Sequence, residues 1–200
     1  MHPAPIYRQT DELALLADLE NQPFCLITAS VDGRPMIAHA PVIQSRVEGR
    51  LCLEFHFSAR NPMAAALEAG FDAIIVSLGP DAYVSPDWYD RPDQVPTWDY
   101  VSVEAEGRVT KMGSNDTLEQ LVAISALMEA RLDPKPPWTL DKVSAERMEL
   151  LRRGLVGGRM LIDRLEGTSK LSQEKDDAAM AGVLAALADH PIAERIRRRG

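Results

Sequence analysis

The sequence predicts a mainly β domain of the α+β class: an antiparallel barrel, closed or nearly closed, with peripheral helices and a C-terminal helix. Three observations predict it. Strand-like apolar runs follow one another through tight turns, at Asp32-Gly33 and at Glu48-Gly49-Arg50. One long run alternates, with Val101, Val103, Ala105 and Val109 set against Ser102, Glu104, Glu106 and Arg108, the pattern of one buried and one wet face. Helical patterns are occasional insertions rather than the partner of every strand, as a doubly wound sheet would need, and neither G-x-G-x-x-G nor a Walker lysine loop is present.

Taken in order, Thr10 is placed to cap a helix over 11–21, with acidic residues in its first turn and Leu13, Leu16 and Ala17 as its apolar stripe. A strand over 24–30 turns at Asp32-Gly33 into its partner over 35–44, and a third strand covers 51–57. Asn61-Pro62 opens a short helix that Gly70 ends, because proline suits a first helical turn and glycine a stop. A fourth strand over 71–78 is bounded by Gly79-Pro80. The stretch 81–97 holds Pro86, Pro92 and Pro96 and reads as a loop with at most a short strand at its start. The alternating strand covers 98–109. A helix over 114–131 carries Leu118, Leu121, Val122 and Met128 on one side and is broken by Pro134, Pro136 and Pro137. Another helix spans 144–153, and a strand spans 155–165. The last helix, over 175–189, has Met180, Val183, Leu184 and Leu187 at helical spacing, with Ser172 or Gln173 as its cap.

The chain has 200 residues, 46% of them apolar, enough for a core that needs neither disulfide nor metal. Its formal charge of −8 argues against binding a phosphate backbone, which draws its affinity from cationic contacts. The basic cluster Arg195, Arg197, Arg198 and Arg199 reads as a solvated helix end that complements the helix dipole. Cys25 and Cys52 lie in separate strand-like runs and read as buried thiols of a reducing compartment. No span of membrane length and no signal-peptide pattern is visible, so the expected location is cytoplasmic.

Three stretches carry candidate chemistry. His56 and Ser58 share one face of a strand that runs into Arg60 and Asn61, and His39 lies on the hairpin partner. A guanidinium fork, a hydroxyl and a helix start make a receptor for a phosphate dianion, although the histidines equally fit half-buried strand residues with a local hydrogen bond. Tyr83, Trp88, Tyr89 and Trp98 lie in or beside a proline-stiffened loop, which suits either walling a flat ring or pinning the loop. The stretch from Thr168 through Lys170, Ser172 and Gln173 to Lys175 is a polar connection. No metal-ligand spacing and no G-x-S-x-G nucleophile motif is present, and no catalytic residue is identified.

The ordered motifs Gly79-Pro80-x-Ala82-Tyr83-Val84-Ser85-Pro86-x-Trp88-Tyr89, Val95-Pro96-Thr97-Trp98-x-Tyr100 and Lys170-Leu171-Ser172-Gln173 resemble the PaiB-type FMN-binding negative transcriptional regulators, along nearly the whole chain. That family resembles the FMN-binding split-barrel flavoproteins, whose relatives include pyridoxamine-phosphate oxidases and flavin reductases. The resemblance implies a split barrel over 1–167, with 168–200 packing on the barrel or on a dimer partner, and FMN at a homodimer interface. Positions matching the family's cofactor site are His39, His56, Ser58, Arg60 and Asn61 for the phosphate. Tyr83, Ser85, Trp88, Lys170, Ser172 and Gln173 match segments near the flavin, some contributed by the partner subunit. Three positions depart from the family: Asp81 for His, Asp99 for Asn and Glu174 for Asn, each adding negative charge. The implied function is a flavin-dependent regulator or sensor that does not read DNA directly. An FMN-dependent oxidoreductase on a small substrate is the alternative, and a haem-handling protein using His39 or His56 is a third.

Overall fold

The computed structural model describes residues 2–199. Seven strands form one sheet: β1 (Arg8–Gln9), β2 (Phe24–Val31), β3 (Arg34–Val47), β4 (Arg50–Ser58), β5 (Phe71–Val84), β6 (Thr97–Lys111) and β7 (Leu155–Lys170). Their order is β1-β7-β4-β3-β2-β5-β6, and β7 also pairs with β6, so the strand order returns on itself. Five α-helices accompany them: α1 (Glu12–Asn21), α2 (Ser114–Glu129), α3 (Ala145–Gly154), α4 (Asp177–Ala186) and α5 (Ile192–Arg197). The expected antiparallel barrel with peripheral helices is the observed architecture. No helix among the described residues is long and apolar enough to cross a membrane.

The chain divides into two compact units. The larger comprises Leu19–Ser77 and Ala105–Leu165. Its β2–β3 hairpin turns on Asp32 and Gly33, both at positive φ, which places the reversal where the Asp-Gly pair predicts it. Cys25, Ile27, Ala40, Leu53, Phe55, Ile75, Val109 and Met160 are buried in its core. Both cysteines are free, and burial pushes the Cys25 thiol up to about 12.

The smaller unit comprises Met1–Asp18, Leu78–Glu104 and Glu166–Gly200. Ala82, Val84, Tyr89, Val101, Leu171, Met180, Val183, Ile192 and Ile196 form its core, with Trp88 packed against them.

Several element boundaries differ from expectation. β5 does not stop at Gly79-Pro80 but runs on to Val84. Gly79 lets Val101 approach, since a Cβ there would lie 3.1 Å from the valine Cβ, and the pair thus serves strand packing instead of ending the strand. Residues 61–70 make turns and a 3₁₀ helix, Ala65–Glu68, in place of an α-helix. β7 continues to Lys170, so Thr168 and Lys170 are strand residues. The last helix is two helices, α4 capped by Asp176 and not by Ser172 or Gln173, then α5. Along α2 the buried stripe is Thr117, Gln120 and Ile124, while Val122 stands 42% exposed.

Candidate functional site

In the larger unit, β4 alternates between two environments. Leu53, Phe55 and Phe57 point into the core, and Glu54, His56 and Ser58 face the other way. Gln120 of α2 is 1% exposed and meets this outward row. His56 Nδ1 lies 2.6 Å from Gln120 Oε1, and Gln120 Nε2 donates to the Glu54 carbonyl at 3.4 Å. The Glu54 carboxylate accepts from Ser45 Oγ at 2.7 Å and from Arg159 Nε at 2.8 Å, which matches its charge. Arg159 also lies 3.9 Å from Asp116.

Beyond β4 the backbone is shaped by its own side chains. Ser58 Oγ accepts from Arg60 N, Ser58 O accepts from Asn61 N, and Asn61 Oδ1 accepts from Met63 N at 2.9 Å. Asn61 is therefore a turn residue. The exposed guanidinium of Arg60 has no hydrogen bond or ion pair among the described residues. On β3, Ala38, Ala40 and Val42 are buried and His39 is exposed, stacked on Phe24 at 6.0 Å. The register Ile43↔Glu54 puts His39 on the same outward face as His56 and Ser58. The structure thus brings His39, His56 and Ser58 to one face, with Arg60 following in the chain. A free guanidinium, an exposed hydroxyl and an imidazole whose Nε2 is unengaged fit a phosphate monoester. The α-helix start expected to complete that receptor is absent, because 61–64 are turns.

The other predicted residues lie in the smaller unit, where most are engaged internally. Lys170 is 8% exposed, and its Nζ donates to Thr97 Oγ1 at 2.7 Å and the Trp98 carbonyl at 2.6 Å, with Asp99 Oδ1 at 3.4 Å. Ser172 is fully buried at φ 55°, a left-handed conformation uncommon for serine, and its hydroxyl reaches both Asp99 oxygens at 3.0 and 2.9 Å. Gln173 braces the same turn, accepting from Leu171 N and donating to Ser169 O. Tyr83 is exposed and meets Trp98 edge-on at 6.2 Å. Ser85 caps the 3₁₀ helix Pro86–Tyr89.

Two of the three acidic departures have partners here. Asp99 joins Lys170 and Ser172, and Glu174 accepts from Tyr7 Oη at 2.8 Å. Asp81 is exposed. Burial raises the Asp99 pKa, opposed by Ser172 and Lys170. Burial and the Glu174 contact push Tyr7 up to about 12. Among the described residues, none meets the geometry of a hydrogen bond to the buried Tyr89 hydroxyl. Among the described residues no group of His, Cys, Asp or Glu could hold a metal.

Gln120, Glu54, Arg159 and Tyr7 escape sequence reasoning. Thr117 and Gln120, polar and three residues apart on α2, are the signal for Gln120, and nothing in the sequence marks the other three.

The family model described as "Putative FMN-binding domain" matches residues 1–164. The chain is 27% identical over 166 residues to the "Protease synthase and sporulation protein PAI 2" of Bacillus subtilis, covering 83% of this chain and 79% of that protein. Among solved structures, it is similar to the FAD and heme binding protein of Mycobacterium smegmatis, with a TM-score of 0.61 and 18% identity over 88% of this chain and 79% of that one. It is also similar to a flavocytochrome of Azotobacter vinelandii, with a TM-score of 0.59 and 16% identity over 90% and 78% of the two chains.

Proposed function

Because the chain belongs to the FMN-binding domain family whose model it matches over residues 1–164, we propose that it is a flavin-dependent regulatory or sensor protein that does not read DNA directly. It is a flavin-binding split-barrel protein, and its cofactor is FMN. The observation that carries the reading is the outward row of His56 and Ser58, followed by the unmatched guanidinium of Arg60. Arg60 and Ser58 would hold the phosphate, with His56 beside them and His39 on the same face. FMN when bound supplies electron-transfer chemistry. The chain's own residues bind and orient it. The regulatory part rests on the resemblance of the three ordered motifs to the PaiB-type regulators.

The face that bears His39 also presents Phe24, Ile37 and Ile74, at 68%, 63% and 36% exposure. An apolar sheet face of this kind supports a homodimer with the phosphate near its interface. The free buried thiols fit a reducing compartment, and the cytoplasm is the proposed location.

An FMN titration followed by flavin fluorescence tests the reading. Saturable quenching is expected, and Arg60→Ala should weaken binding by about 1.5–3 kcal/mol, the range for a charge-assisted hydrogen bond. A protein that ignores FMN, or an Arg60→Ala variant of unchanged affinity, overturns the site. Anaerobic addition of NADH or NADPH then separates the functions: tight binding without turnover is expected, and rapid multiple turnover would replace the sensor with an oxidoreductase.

A further inference from the structure

Gln120 has one arrangement that satisfies its surroundings. Its amide faces a carbonyl, Glu54 O at 3.4 Å, and an imidazole nitrogen, His56 Nδ1 at 2.6 Å. A carbonyl only accepts, so the Gln120 NH₂ must point to Glu54 and the amide oxygen to His56. Turning the amide over would set two acceptors against each other in a place where Gln120 is 1% exposed, an unmatched contact costly to bury. The oxygen facing His56 only accepts, so Nδ1 carries a proton in every charge state of the ring. Neutral His56 then has a bare Nε2 lone pair. The oxygens of a phosphate dianion also only accept, so His56 engages them through Nε2 only as the imidazolium.

We propose that Gln120 is a positioning residue that locks the His56 proton on Nδ1 and thereby couples FMN binding to uptake of a proton at His56. This rests on the flavin reading above and adds its proton requirement. The charged and titratable groups around His56 are Glu54 on its own strand, Arg159 on β7, Asp116 on α2, His39 on β3 and Arg60 after β4. Arg159 serves both nearby carboxylates, Glu54 at 2.8 Å and the half-exposed Asp116 at 3.9 Å, and the incoming phosphate adds a new anion that favours the charged ring. The sign follows by linkage. Binding that takes up a proton is strengthened as pH falls and weakened as pH rises. The fall is at most about tenfold per pH unit for a single proton.

Two measurements test this. In flavin-free protein, nitrogen-15 NMR of the imidazole should show neutral His56 protonated at Nδ1, and Gln120→Met should shift the ring toward the Nε2–H form. Calorimetric FMN titrations above about pH 7, where a phosphate monoester is already a dianion, in two buffers of different ionisation enthalpy should show proton uptake. Riboflavin, which lacks the phosphate, should show none, and Gln120→Met should lose most of the uptake and flatten the pH dependence of affinity. A neutral wild-type ring protonated at Nε2, or FMN binding without proton uptake, overturns the proposal and leaves the flavin reading standing. Absence of FMN binding at every pH overturns the flavin reading itself, and the coupling with it. Because both measurements are made on the wild-type protein, a variant that fails to fold does not protect the idea.

Discussion

Lys170 is 8% exposed and its ammonium is met by three oxygens, whereas Arg60 stands in water with its guanidinium unmatched. A cation taken out of water has to be compensated on the spot, so Lys170 is spent on the fold. An exposed cation costs little to leave free, so Arg60 remains available to an anion. The family resemblance assigns both residues to the cofactor site alike, because it matches residue types by position and carries no information on which of them are buried. Tyr7 makes the same point for a hydroxyl. It is donated to Glu174, and its pKa is pushed up to about 12 by burial and that carboxylate. The folded state holds the phenolic proton more tightly than the unfolded chain. Its contribution to stability is therefore complete below the ordinary tyrosine pKa of 10.0 and lost as pH rises through about 12. Spectrophotometric titration should show a late-ionising tyrosine that disappears in Tyr7→Phe. If the late step stays unchanged in that variant, Tyr7 is not its source.

Elements were most legible where the backbone itself carries the instruction. Asp32-Gly33 and Glu48-Gly49 take up the positive φ values that two-residue hairpins need, so both turns fall where the sequence puts them. Gly79-Pro80 misled because the same pair can end a strand or thin it for a neighbour, and Val101 decides which. Gly107 shows how tightly β6 and β7 meet: a Cβ there would fall well inside van der Waals contact distance of the Leu161 carbonyl oxygen, which is backbone and cannot swing away. Gly107→Ala should therefore cost at least about 1–3 kcal/mol, or roughly 2–4 °C of Tm for each kcal/mol in a chain of this size. Gly154→Ala, with nothing within 4 Å of the added methyl, serves as the control. Equal melting temperatures for the two variants would mean that the β6–β7 approach is looser than described. On α2, apolar periodicity pointed to Leu118, Leu121, Val122 and Met128, yet the buried stripe is Thr117, Gln120 and Ile124. Periodicity assumes an apolar surface under the helix, and here the surface is the polar row of Glu54 and His56.

For the whole molecule, the basic C-terminus is not an open patch. Arg195 pairs with Asp18, Arg197 and Arg198 with Glu194, and Arg199 with Asp177. With a net charge of −8 and these four arginines paired, a mobility-shift assay at physiological salt should show no sequence-specific DNA complex. An operator-selective, salt-sensitive shift would overturn the indirect route. Light scattering should give twice the 22.1 kDa chain mass, and Phe24→Glu with Ile37→Glu should shift it toward monomer. A monomeric wild type would remove the proposed interface.

The sequence by itself determined six of the seven strands in outline, all but β1, with their hairpin turns, the barrel class and the alternation that sets His56 and Ser58 on one side of β4, because these follow from local backbone preference and a period of two. Tertiary structure alone decided what each polar side chain is for. It buried Lys170, Ser172 and Asp99 against one another, turned Gln120 onto His56 and left Arg60 unmatched. Those outcomes depend on which groups residues distant in the chain bring together, and the balance between desolvation and a partner is struck only when they meet.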